Sequence, residues 1–425
     1  MRKPSVLVVF LTVFIDLIGF GLVLPLLPIY SQKFGATGFM IGAIMASFSA
    51  MQFLFAPAWG RLSDRIGRRP VLLVSTAGAA ISYAIFAIGS GLEGSGALWI
   101  ILGSRILAGI CGANITVAQA YIADVTAPEE RSKKMGLIGM AFGLGFVCGP
   151  MIGWFSPESW GVPGPGWLAA GMCAANFLLA LSILPESWRP NSEHAAQRPR
   201  LQQWAHTLSR PKIALIIAVF FLATFCFTCF ETTLGLLVSK NFTLDLVRNK
   251  GTIYFLFAYA GIVGAIVQGG AVGRLVRKMG EPKLISVSLL LFAFSLAPLP
   301  FIHGTEPLTL STLWSKGGLP WLNLFFFLAL LAIGSSLTRP PVFGLISILT
   351  PAHEQGATIG VAQSAGSLAR ILGPVFASTL FTHHPALPYL ICSAVALAAG
   401  LLAWQSLCRL EPVVLPAGKV ESTAQ

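Results

Sequence analysis

Twice along this chain a short basic segment joins two long apolar runs with nearly the same lettering. Gly60 to Pro70 reads G-R-L-S-D-R-I-G-R-R-P, and Gly273 to Pro282 reads G-R-L-V-R-K-M-G-E-P. A glycine, an Arg-Leu pair, a charged middle and a closing glycine recur at one internal spacing, displaced by 213 residues (273 minus 60). A duplicated helix pair closed by a tight hairpin leaves this trace. The chain therefore reads as two copies of one unit. Glycine suits the hairpin because leaving one helix and starting another requires backbone angles that other residues resist.

The unit lies in a bilayer. With 55% hydrophobic residues, 10% charged residues and a mean hydropathy of +0.77, there is too little polar surface to cover a water-soluble globule. Apolar runs occur at Met1 to Tyr30 and at about 37–59, 70–91, 97–123, 135–155 and 166–184. They resume at about 212–239, 251–272, 283–302, 320–349, 357–381 and 387–408. The expected fold is an all-α membrane protein of 12 transmembrane helices in two pseudo-symmetric six-helix bundles, residues 1–188 and 212–408. A polar interval at 189–211 is expected as a linker, and 409–425 as a tail. The first run is too long for a signal-peptide core and has no small-residue cleavage site, so it is kept as a span.

The formal charge of +12 does not indicate nucleic-acid binding, because the cations sit in short loops between spans. Counted by alternate loops, 20 Lys and Arg fall on the side of the termini, the Gly60 loop and the linker. Five fall on the other side, and Arg105, Arg339 and Arg370 lie within spans, completing the 28. The positive-inside rule then places both termini in the cytoplasm, as an even number of crossings requires. The expected location is the inner or plasma membrane. Seven cysteines, mostly inside spans, argue against a disulfide framework, and Cys226-x-x-Cys229 is read as buried packing.

Ionisable groups inside spans cost about 2.5–3.5 kcal/mol each on insertion scales, so they mark function. Two acids fall there, Asp16 and Glu231. Asp16 is expected to carry the transported proton, with Arg105 balancing its charge, and Glu231 to serve a second coupling or substrate-cation role. Arg105, Gly109, Gly112, Thr116 and Gln119 lie within about 40° of one direction on a helix, a polar small-residue stripe suited to a water-filled cavity. Arg339 and Arg370 are candidate cavity cations of the second half. Asp64, set among Arg61, Arg65, Arg68 and Arg69, contributes little to topology. With Arg68 and Asp124 it is expected to latch helices together when the inner side closes. Gly145, Gly149 and Gly153 share one helix face, permitting close approach of a neighbour, and Pro150 bends that span. Gly373-Pro374 echoes this in the second half.

These segments resemble the major facilitator superfamily. Gly60, Asp64, Gly67, Arg68 and Arg69 are similar to its hallmark loop, Arg105 to its fourth-helix motif, and Gly145-x-x-x-Gly149-Pro150-x-x-Gly153 to the motif of its drug/proton antiporters. Asp16-Leu-Ile-Gly19-Phe-Gly21, Pro25, Pro28 and the A-Y-I-A-D ending at Asp124 resemble the tetracycline-exporter branch. Where that branch has an acid in span three this chain has Ser82, and where it has a histidine in span eight this chain has Gly264. The resemblance therefore does not carry over the recognition of magnesium-tetracycline.

The resemblance implies proton-coupled efflux of amphipathic small molecules or drugs by alternating access. The alternatives are a symporter or facilitator of a metabolite, and a non-transporting receptor or scaffold on the same fold. No P-loop, H-E-x-x-H or G-x-S-x-G occurs, so an ATP-driven pump or an enzyme is not expected. Neither cofactor nor metal is expected; the proton gradient supplies the energy. The expected partners are a small-molecule substrate and the lipid bilayer, with the protein a monomer.

Overall fold

The computed structural model describes residues 6–94, 96–112, 114–126, 128–155, 160–187, 200–245, 250–314, 316–351 and 354–407; residues 189–199 of the linker and the 409–425 tail lie outside these. The described residues are helical and contain no strand. In chain order the helices are α1 (Val6–Lys33), α2 (Gly38–Ile66), α3 (Arg68–Gly91), α4 (Gly96–Val125), α5 (Pro128–Trp154), α6 (Gly164–Ile183) and α7 (Arg200–Leu208). They continue as α8 (Pro211–Asn241), α9 (Gly251–Met279), α10 (Glu281–Phe301), α11 (Leu319–Leu349), α12 (Gln355–His383) and α13 (Leu387–Leu407).

Ten of these are long and apolar enough to cross a membrane. Neither α5 nor α12 is among the ten. In α12 the sequence QGATIGVAQSAGSLARILGP spends many positions on Gln, Ser, Gly and Arg. Part of this helix faces protein: a Cβ on Gly366 would meet the Phe220 ring of α8 at 2.9 Å, and one on Gly373 would meet Phe225 O of α8 at 3.2 Å.

The duplicated motif differs from the expected loop. Residues 60–66 continue α2 as helix, and the chain reverses at Gly67 alone. R-L-S-D-R-I contains good helix formers, and nothing in it stops the helix before glycine. Gly67 has φ +101° and Gly280 has φ +77°. Each ends one helix and starts the next, and they are 213 residues apart (280 minus 67), the displacement of the motif itself. The polar interval also holds structure: α7 is a helix leading into α8.

At the end of the molecule bearing Gly67 and Gly280, called here the hairpin end, the two sets of helices have separate cores. Val9, Val13, Leu17, Leu72, Tyr121 and Leu184 form one, from the N-terminal set of helices. Ile213, Ile217, Ile285, Val342, Val361 and Leu407 form another, from the C-terminal set. At the opposite end a single core draws on both sets, including Leu22, Tyr30, Ile41, Leu234, Tyr254 and Phe381. The two sets of helices are thus sealed together at one end and part toward the other.

Glycines make the seal possible. A Cβ on Gly42 of α2 would stand 2.8 Å from Pro374 O of α12, and one on Gly38 would meet Thr382 Cγ2 at 2.6 Å. On the other flank a Cβ on Gly153 of α5 would meet the Tyr254 ring of α9 at 2.5 Å, and the Tyr254 hydroxyl donates to Leu22 O at 3.1 Å. Close helix approach of this kind needs small residues, since packing rather than the hydrophobic effect associates helices in lipid.

Candidate functional site

Asp16 lies on α1 within a turn of the point where the N-terminal core gives way to the shared core. It is 6% exposed. Its Oδ1 accepts from Asn176 Nδ2 of α6 at 2.8 Å, and the same amide donates to Thr12 O at 2.8 Å. Cys173, one turn before Asn176, also borders the carboxyl. Asn176 was absent from the sequence reading because a lone Asn on an apolar helix shows no pattern; only packing brings it to Asp16.

Arg105 of α4 is 2% exposed. Its guanidinium lies over Phe48 of α2 at 4.9 Å and Phe20 of α1 at 5.7 Å, a cation–π pair of contacts that desolvation strengthens. Tyr83 of α3 lies near both Arg105 and Asp16, close enough for each to act on it electrostatically, so it stands between the two charged groups. The expectation that Arg105 balances the charge of Asp16 did not include Tyr83 or Asn176, the amide that bonds the carboxyl.

The stripe on α4 also differs from its expected role. A Cβ on Gly109 would meet Met51 Cβ of α2 at 2.7 Å, and Gln52 Nε2 of α2 donates to Gly112 O at 3.0 Å. Gly109 and Gly112 therefore seat α2 against α4 instead of lining open space. Thr116 approaches Gly60, and Thr116 and Gln119 remain half-buried.

In the second half, Glu231 of α8 is 8% exposed, and its Oε1 is buried with no hydrogen-bond partner. The hydroxyls around it are committed elsewhere: Thr232 donates to Thr228 O at 2.7 Å and Thr233 to Cys229 O at 2.8 Å. Arg370 of α12 and Arg339 of α11 form an electrostatic chain with it, Arg370 attracted to Glu231 and repelled by Arg339. Arg370 donates to Ser367 Oγ at 3.2 Å; Arg339 reaches Gln363 Oε1 at 3.5 Å and lies 5.7 Å from the Phe343 ring centre. Pro340 and Pro341 follow Arg339 inside α11, where each removes a backbone donor.

Around Gly67 a charge cluster is complete. Arg68 donates through Nε to Asp124 Oδ2 at 3.0 Å, through Nη1 to Ser63 Oγ at 2.7 Å, and it pairs with Asp64. Ser187 Oγ donates to Asp124 Oδ2 at 3.2 Å. Glu186, which the residue pattern does not single out, accepts from the Arg68 and Arg69 backbone N–H groups at 2.9 and 3.1 Å and so caps α3. An anion suits that position because unpaired N–H groups and the helix dipole converge there. Every member of the cluster belongs to α2, α3, α4 or the segment just after α6. These contacts brace helices of one half and are formed while the halves stand apart at that end, so they do not wait for the inner side to close.

The antiporter-type motif seats α1. A Cβ on Gly145 would meet Leu17 Cβ at 2.7 Å, and one on Gly149 would meet the Gly21 carbonyl carbon at 2.6 Å. Gly373 of α12 approaches α8 in the corresponding way, with Phe225 O at 3.2 Å, so Gly145-x-x-x-Gly149-Pro150 and Gly373-Pro374 do the same work in the two halves. The described cysteines are free thiols; Cys226 Sγ donates to Cys392 O and Cys229 Sγ to Gly373 O, both at 3.4 Å, as packing residues do. Among the described residues no group of three or more His, Cys, Asp or Glu could hold a metal ion.

The sequence profile of the Major Facilitator Superfamily matches residues 9–374. The chain belongs to the Major Facilitator Superfamily. It is 30% identical to the class B tetracycline resistance protein of Escherichia coli over 378 residues, covering 87% of this chain and 86% of that one. It is also 30% identical over 457 residues to the bovine major facilitator superfamily domain-containing protein 10, covering 96% and 93%. The crystal structure of the human organic anion transporter MFSD10 (TETRAN) superposes with a TM-score of 0.66 at 26% identity, covering 95% of this chain and all of that one. The superfamily chain is a multi-pass membrane protein whose relatives are transporters.

Proposed function

We propose that this superfamily member is a twelve-span secondary transporter exporting amphipathic small molecules or drugs of the tetracycline/multidrug type. Proton antiport drives it through alternating access. Its bundles are residues 1–188 and 212–408, with the 189–211 linker, the 409–425 tail and both termini in the cytoplasm and the protein in the inner or plasma membrane. It acts as a monomer without a cofactor. The observation that carries this reading is the position of Asp16: a buried carboxyl where the shared core meets the N-terminal core, held by α6 through Asn176. Rocking of the halves changes water access at that boundary, which is what coupling a proton to transport requires.

A susceptibility panel in an efflux-deficient host tests it, with wild type beside Asp16→Asn. Wild type should raise resistance to at least one compound and Asp16→Asn should not, at equal membrane abundance; equal resistance from the two would remove Asp16 from coupling.

A second substrate reading, an organic anion, is favoured by the cationic pair Arg339 and Arg370 and by the likeness to the organic anion transporter MFSD10. In proteoliposomes, export on imposing a proton gradient supports antiport and uptake supports symport. Absence of flux for every solute supports the scaffold reading.

A further inference from the structure

The hydrogen-bond ladder of α1 lapses where the two halves meet. Pro25 and Pro28 carry no N–H, so the carbonyls of Gly21 and Leu24 lose the donors that an unbroken helix would give them. The backbone answers with a turn of tighter helix at Leu24–Leu26, in which Leu27 N–H reaches Leu24 O. An interrupted helix uncovers carbonyl oxygens, and inside a membrane-embedded bundle they need donors from elsewhere. Leu22 O, between those two carbonyls, takes the Tyr254 hydroxyl of α9 at 3.1 Å. Leu22 and Tyr254 are both fully buried.

Donor and acceptor belong to different halves. Tyr30, two turns further along α1, donates to Val162 O at 3.0 Å and so keeps this part of α1 on the N-terminal half. Tyr254 comes from the C-terminal half, and Gly153 of α5 leaves room for its ring, since a Cβ there would stand 2.5 Å from it. The glycine contacts that close the α2–α12 flank are packing and weaken gradually as helices separate. A hydrogen bond is lost once donor and acceptor stand more than about 3.5 Å apart.

We infer that the Tyr254 hydroxyl is the bolt of the sealed end: donated to Leu22 O at the break in α1, it holds the halves closed there and is released to water when they part. This rests on the alternating-access reading of the fold. In the parted state water serves both the hydroxyl and the carbonyl, so the net contribution of the bond is small and the closed state is held without being locked. Removing the hydroxyl alone has a larger effect, because it leaves the Leu22 carbonyl short of a donor in the closed state and not in the parted one. The bias falls on one of two states, which is how a gate residue shifts an equilibrium.

Hydrogen exchange in the purified full chain in detergent tests this, with wild type beside Tyr254→Phe and Tyr30→Phe. Each variant loses a hydroxyl and keeps its ring. Exchange through opening tracks the population of the open form. In Tyr254→Phe, exchange should quicken about fivefold or more over Leu22–Tyr30, and by a similar factor in Gly38–Ile44 of α2 and Val375–Thr382 of α12, the other flank of the seal. Tyr30→Phe, which loses a hydroxyl bonded within one half, should leave the α2 and α12 segments at wild-type rates. A rise in Tyr254→Phe confined to α1 and α9 would mark a local packing contact and overturn the inference. Wild-type exchange throughout, or an equal rise on α2 and α12 from Tyr30→Phe, would overturn it too. Exchange as expected, with no solute carried by the wild-type protein in proteoliposomes, upholds the bolt and overturns the transport reading instead.

Discussion

Asp64 shows how much one side chain is asked to do here. Its side chain is 37% exposed, yet it pairs with Arg68, whose side chain is 6% exposed and whose guanidinium also holds Ser63 and Asp124. Exposed ion pairs contribute little by themselves. The weight of this cluster lies in the buried guanidinium, which would be left short of acceptors on the loss of either carboxylate. Asp64→Ala is therefore expected to insert at wild-type level and to abolish transport, because Arg68 then has one carboxylate to satisfy and α2 loses its tie to α3 and α4. Membrane abundance and vesicle flux of the variant check this; undiminished flux would show that the brace is dispensable.

At the scale of helices, close approach is set where glycine leaves room. Gly149→Ala would press a methyl against the Gly21 backbone of α1, a group that cannot rotate away. A loss of about 1–3 kcal/mol is expected from such overpacking, with falling transport. Gly103→Ala on α4, where no atom lies within 4 Å, should be neutral or gain about 0.5–1 kcal/mol from helix propensity. Thermal unfolding of the two variants in detergent distinguishes a packing contact from mere helix breaking. A second element-level device is the docking of α7. Arg210, and His206 beside it, hold the Glu354 carboxyl below its ordinary range. A carboxyl whose folded value is depressed stabilises the folded arrangement above its unfolded value, near about 4.3, and that contribution is lost as pH falls through the folded value. Hydrogen exchange in Arg200–Leu208 should accelerate as pH is lowered through the carboxylate range, after correction for the intrinsic rate. Glu354→Gln should show the faster exchange already at neutral pH, and unchanged exchange in that variant would show that the ion pair does not hold α7.

For the whole molecule, the asymmetry of the cores is the main structural fact. One core joins the halves at the end opposite the hairpins, and separate cores serve each half at the hairpin end. Alternating access requires the seal to open. A Cβ on Gly42 would press against Val375 Cα of α12, backbone that cannot rotate away. Gly42→Ala is therefore expected to weaken the seal between α2 and α12 and to lower the thermal stability of the protein. Thermal unfolding in detergent and flux in vesicles check this; wild-type values for both would show that the close approach at Gly42 is dispensable.

The duplication, the helical class, the apolar helices and the turns at Gly67 and Gly280 were legible in the residue pattern because each follows from local chemistry: apolar length for a helix in lipid, glycine where φ is positive. Asp16, Glu231, Arg339 and Arg370 were legible for a related reason, since charge is rare where it is expensive. Their partners were not. Asn176 and Glu186 meet Asp16 and the start of α3 across 160 and 118 residues of chain. Nothing in the neighbourhood of either residue marks it. The stripe of Gly109 and Gly112 had a face by helical periodicity, but periodicity does not say whether that face meets water or another helix. Composition and spacing thus determined what the parts are, because backbone and lipid act on every residue alone; the packing of α1 to α13 decided which polar groups meet, because contacts between distant residues exist only once the helices are assembled.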